Sequence, residues 1–168
     1  MDEILQTVKK NLPTPGTELA GYTFLGQDAL RTGTVESRHP FVVVAEYIWP
    51  FGGGGLFLIV MEDGSVQIAQ LDGYNGAWAE QGCGLDLSSD SLVGYCAADF
   101  QKFTEIMQLY LTVLESNPIP ETFDVKYYEK CAETAEILRQ QIQKIDPTAL
   151  QNTESFWSVI IEEFGYGM

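Results

Sequence analysis

Most of the side chains that familiar enzyme chemistry relies on are scarce in this sequence. Among 168 residues there is a single histidine, His39, which sits before Pro40 in an expected loop. A Ser-His-Asp or Cys-His pair would have to use it, and neither a Gly-x-Ser-x-Gly elbow nor a flanked reactive cysteine accompanies it. His39 therefore reads as a solvated loop residue. The three cysteines, Cys83, Cys96 and Cys131, are odd in number, widely spaced and without a Cys-x-x-Cys pair, which predicts buried free thiols in a reducing compartment. One histidine and scattered cysteines also leave no ligand spacing for zinc, so no metal and no cofactor are expected. Basic residues are few, nine Lys and Arg against 24 Asp and Glu, and direct nucleic-acid binding is disfavoured because phosphate contacts need cations. No apolar run approaches the roughly 20 residues of a membrane span. The opening Met1-Asp2-Glu3 is acidic where a signal peptide is basic, and a cytoplasmic protein is expected. Internal repeats and low-complexity segments are also missing.

What is present is a chain long enough for one domain with a real core, 45% apolar, and strongly acidic at −15. The acidity is unevenly spread. Residues 41–125 hold twelve acids and one base, Lys102, whereas residues 1–40 and 126–168 carry only −1 and −3. Such a field suits a basic protein partner. Acidic surfaces also simply keep proteins soluble and monomeric, and charge alone does not separate the two readings.

The clearest structural signal is the stretch 49–71. The apolar run 56–61, the dipeptide Asp63-Gly64 and the alternating run 65–71 predict a β-hairpin with a two-residue Asp-Gly turn. Its first strand has hardly a polar break, so both faces should be covered and the strand central. Residues 41–49, rich in β-branched and aromatic side chains, predict a strand before it, and 91–96 a last strand. Residues 2–12 have the spacing of a short amphipathic helix ended by Pro13 and Pro15, and 16–40 read as loop with a short helical turn or edge strand. Beyond 97 the period changes to 3.6: helices are predicted over 98–116 and 124–145, then a short turn at Pro147 and a terminal helix over 154–164 with Gly165 as its C-cap. The sum is a single α+β domain over residues 1–168, with a mainly antiparallel sheet of about four to six strands, flanking helices and a mostly helical C-terminal half.

Several motifs imitate sites. Gly52 to Gly55 lead into an apolar strand rather than a helix, so they form a connection between strands and not a phosphate cradle. Asp86, Ser88 and Asp90 resemble the first ligands of a calcium loop, but Ser91 replaces the required Gly and Ala97 the bidentate Glu. Glu162 and Glu163 are adjacent on a helix and diverge, which gives no reason for a raised pKa. The exposed candidate of most interest lies past the second Asp-Gly turn, where Tyr74 and Trp78 interleave with Asp72, Asn75 and Glu80. Aromatics amid polar residues suit a protein-binding hot spot, although Trp78 folded back over the hairpin would give the same pattern.

Three stretches carry a family resemblance: Gly-Gly-Gly-Leu-Phe-Leu-Ile-Val at 53–60, the hairpin at 63–66, and the strand-to-helix passage 92–103. With Ile145-Asp146-Pro147-Thr148-Ala149-Leu150 followed by Phe156-Trp157, the chain from residue 41 onward resembles the SUKH superfamily, and its ending is similar to the fourth branch. The first 40 residues depart from the Leu-Pro-rich opening of many members. The resemblance implies a small α+β bacterial immunity protein without catalytic residues, which blocks a cognate toxin, often a nuclease or deaminase. On that expectation Asp72, Tyr74, Asn75, Trp78, Glu80, Asp86 and Asp90 form the contact surface for a basic toxin domain. A housekeeping scaffold of the same fold, or a hydrolase using paired carboxylates, are the alternatives.

Overall fold

The computed structural model describes residues 1–73 and 85–168. Its centre is the antiparallel meander β4 (His39–Ile48), β5 (Gly54–Met61) and β6 (Val66–Asp72), the three longest strands among the described residues. β5 lies inside the sheet and all but one of its residues are buried, in agreement with its unbroken apolar run. The path continues through β6 to β8 (Leu92–Ala97) on one side. On the other it passes from β4 to β2 (Tyr22–Phe24) and β1 (Glu18–Leu19). Two further strands branch off: β3 (Arg31–Val35) pairs β4, and β7 (Leu85–Leu87) pairs β3 in the only parallel ladder among the described residues.

β2 and β3 share one edge of β4, β2 beside Ala45 and Glu46, β3 beside residues 39–43. The register between β4 and β5 shifts between Val43 and Ala45, so Val44 is an extra residue. A bulge of this kind bends and overtwists its strand. Val42, Val44 and Ala45 belong to the core on the helix side, while Phe41 and Val43 enter a second core with Val35, Phe57, Ile59, Met61, Ala69 and Leu87. The curled sheet thus has two interiors, one under the helices and one inside its own curve. The second was not legible in the sequence, because the strands that help to cover it, β3 and β7, are short. β3 contributes its inner face through Gly33 and Val35, and a Cβ on Gly33 would stand 2.5 Å from both the Leu85 carbonyl oxygen and the Phe41 ring.

Helix α1 (Asp2–Asn11) matches its predicted span. Helices α2 (Phe100–Ser116) and α3 (Val125–Ile145) begin one residue after Asp99 and Asp124. Each of these aspartates caps its helix by accepting the third N–H, from Lys102 at 2.8 Å and Tyr127 at 2.9 Å. Helix α4 (Phe156–Gly165) packs the fully buried Trp157 against Phe103, ring centres 5.5 Å apart, and Phe103 also meets Phe24 and Phe156. Among the described residues no helix is long and apolar enough to cross a membrane.

Three local expectations are corrected. The hairpin at 61–65 is a three-residue loop and not a two-residue turn: Gly64 N–H bonds to the Met61 carbonyl and Met61 N–H to that of Ser65. Only Gly64 has positive φ, at +90°, which is a type I turn closed by a glycine bulge. Asp63 favours it by accepting the N–H and hydroxyl of Ser65. Gly165 stays inside α4, and the left-handed residue is Gly167. Residues 16–35 hold three short strands and a single 3-10 turn, not mainly loop.

The C-terminal half is joined to the sheet by Asp146, which is 1% exposed. Its carboxylate accepts the N–H of Ala98 at 2.7 Å and the N–H and hydroxyl of Thr148 at 2.9 and 2.6 Å, while its own N–H caps α3 through the Ile142 carbonyl. Burial alone would push its pKa up, but these donors and the Lys102 charge hold it below the ordinary carboxylate value. Asp146→Ala is expected to cost about 3 kcal/mol by leaving buried donors unmatched. Because the folded pKa is depressed, the stabilisation is complete above the ordinary carboxylate range and is lost as pH falls through the lowered value. Asp146→Asn should therefore flatten the acid side of a stability-against-pH curve measured by urea unfolding.

Candidate functional site

The structure describes three of the seven residues expected to form the contact surface. Asp72 is exposed at the end of β6, opposite Gly54, and accepts the Gln70 side-chain amide at 2.9 Å. Asp90 is exposed in the 3-10 turn Ser89–Ser91 between β7 and β8. Tyr74, Asn75, Trp78 and Glu80, with Cys83, lie outside the described residues.

Asp86 is exposed on β7 and fully engaged. It accepts the hydroxyl and the N–H of Ser37 and the hydroxyl of Thr34, the last two at 2.7 and 2.9 Å. These bonds, the Ser37 side chain first, hold its pKa below the ordinary carboxylate value. The reason lies in the β3–β4 turn, where Glu36 and Ser37 have φ of +52° and +55°, a conformation costly for residues with a Cβ. The turn is held from β7: Asp86 grips Ser37, the Leu87 carbonyl accepts the Glu36 N–H, and the Glu36 carboxylate accepts the Ser89 N–H. The turn carries no Asn-Gly signature, so its sequence did not reveal it.

Two clefts are lined by residues that sequence spacing did not group. One, of about 380 Å³, opens between α1, the 61–65 turn and the start of α2. Glu3, Glu62, Asp63 and Asp99 stand on its wall, and Ile4, Val60 and Phe100 supply apolar surface. Asp63 and Asp99 are committed to local hydrogen bonds, and Glu62 lies 2.7 Å from His39 Nδ1. The other cleft, of about 400 Å³, lies between α3 and the 147–158 segment, with Gln140, Gln143, Gln151 and Asn152 beside Arg139, Glu136 and Glu162. The contributors are far apart in sequence, and only the packing of α1 and α4 brings them together.

His39 is exposed on the first residue of β4, consistent with a solvated side chain although within a strand. Cys96 and Cys131 are buried and free, and burial pushes the Cys96 thiol well up, away from a reactive thiolate. Among the described residues no three His, Cys, Asp or Glu side chains gather where they would hold a metal ion. Comparisons with protein-family models, with curated proteins and with solved structures gave no match to this chain.

The clamp on the β3–β4 turn makes a testable distinction between the two exposed aspartates of the 85–91 segment. Asp86→Ala should lower the melting temperature, while Asp90→Ala should leave it unchanged. Adding Ser37→Gly to Asp86→Ala should restore part of the loss, since glycine tolerates positive φ. Thermal unfolding by circular dichroism checks all three, and equal effects of the two alanines would refute the clamp.

Proposed function

We propose that this chain is a non-enzymatic binding protein that neutralises a basic toxin domain by occluding it, in the manner implied by its resemblance to the SUKH immunity proteins. The observation that carries the reading is the segregation of charge, with twelve acids against one base in residues 41–125. The described part of this segment supplies the central strands and α2, and the carboxylates it carries are set on or beside that frame. Glu62, Asp63, Asp72, Asp86 and Asp90 are all exposed. Pre-positioned carboxylates steer a cationic partner into encounter and lose little entropy on binding.

Two further observations favour binding over catalysis. The one histidine is engaged with Glu62 at the surface, and the Cys96 thiol is sealed in the core. A nuclease or deaminase domain, which handles a polyanion and so presents a basic face, is the proposed target. The contact surface on this reading contains Asp72, Asp86 and Asp90 together with Tyr74, Asn75, Trp78 and Glu80. The setting is the bacterial cytoplasm, where such a toxin acts.

The test is co-purification with the product of the adjacent gene, followed by rescue of cells that express that product. Capture and protection are expected. Association should slow on the order of tenfold between low and physiological salt. Reversing Asp72, Glu80 and Asp90 together, with the structural Asp86 left in place, should slow it further. A partner that neither binds nor is neutralised would remove the immunity reading for that pair.

A further inference from the structure

The connection between β4 and β5 carries an aromatic ring that the fold leaves bare. Phe51 is 100% exposed, more than any other large apolar side chain among the described residues. Its backbone is nonetheless fixed. The Gly52 N–H bonds to the Trp49 carbonyl at 3.0 Å, which closes a β-turn with Pro50 and Phe51 at its corners, and the Trp49 N–H bonds to the Gly54 carbonyl at 3.1 Å. Pro50 stands where proline presets the turn's φ, and Gly52 and Gly53 supply the φ of +75° and +89° that return the chain to β5. The Trp49 ring is held down on Gly54, where a Cβ would stand 2.7 Å from it, whereas the Phe51 ring stands clear. An aromatic ring on a turn that is already ordered loses little freedom on binding, and rings of this kind carry much of the energy of protein interfaces.

The turn lies beside Asp72. Gly54 pairs with Asp72 across β5 and β6, and the Gly73 N–H bonds to the Gly53 carbonyl at 2.7 Å. Phe51 is two residues from Gly53, a reach of about 7 Å at most. A protein interface of ordinary size covers about 800 Å² of each partner, a disc roughly 30 Å across, so a contact centred on the Asp72 carboxylate reaches this turn. An apolar ring next to a carboxylate fits an apolar pocket with Lys or Arg at its rim. Other occupants meet the wrong charge. Twelve acids against one base in residues 41–125 repel anionic lipid, and a second copy of the chain would bring −15 against −15.

We propose that Phe51 is the apolar anchor of the partner surface, seated in a pocket of the basic protein whose cationic rim meets Asp72. This rests on the binding reading above and adds to it a residue that the charge pattern does not single out. The test measures association and dissociation rates of the whole chain with the product of the adjacent gene, at low and at physiological salt. Phe51→Ala should weaken the complex about thirtyfold, mainly through faster dissociation and with the salt dependence of association unchanged. Phe51→Leu, which keeps an apolar side chain, should recover most of that loss. Asp72→Ala should instead slow association and flatten its dependence on salt. Wild-type binding by Phe51→Ala would overturn the anchor and leave charge-steered capture standing. Failure of the unmodified chain to bind would overturn the binding reading for that pair, and the anchor with it. Co-sedimentation with phosphatidylcholine vesicles that is lost in Phe51→Ala would assign the ring to a lipid surface and likewise overturn the proposal.

Discussion

The sheet and the helical half depend on one buried carboxylate. Asp146 closes the C-terminus of α3, caps the 3-10 turn that follows, and takes the N–H of Ala98 where β8 passes into α2. Each of those three ends would otherwise present an unmatched polar group to the interior. Thr148, positioned by the same carboxylate, reaches the Tyr95 hydroxyl at 2.7 Å and so ties the turn to the edge strand as well. The aromatic core of Phe103, Phe156 and Trp157 supplies apolar stabilisation, but it is non-directional; the polar junction beside it fixes the 147–150 turn against β8 and the start of α2.

A second constraint separates the acids by task. Asp63, Asp99, Asp124 and Asp146 each accept backbone N–H groups and shape a turn or a helix start. Asp86 holds a strained hairpin from a neighbouring strand. What is left over for partners is a smaller set, including Asp72 and Asp90, whose carboxylates are exposed and, among the described residues, accept no backbone N–H. A count of charges therefore overstates the binding face, because part of the acidity of residues 41–125 is spent on the fold.

The long periodic elements were legible. The central hairpin strands, α1, α2, α3 and α4 all occur where alternation or the 3.6-residue period placed them, and the aspartate caps mark the helix starts to within two residues. The fold class follows from these elements alone. What the sequence concealed was non-local. Val35 and Leu87 look like isolated apolar residues until β3 and β7 pair, and Glu36-Ser37 has no turn signature because its conformation is imposed from β7. The candidate surface was partly legible. Charge asymmetry is a property of composition, while the cleft joining Glu3 to Asp99 and the full exposure of Phe51 need the tertiary fold.

The parallel pairing of β3 with β7 also carries an entropic cost that the meander does not. Strands β5 and β6 meet through a three-residue loop, but Thr34 and Asp86 are 52 residues apart. Closing the longer loop costs about 2–3 kcal/mol more chain entropy. The return is three residue pairs and the clamp on one turn. The second core is thus closed across a long loop by a short strand. The helix-side core contains no residue of β7, so this short strand matters to one of the two interiors alone.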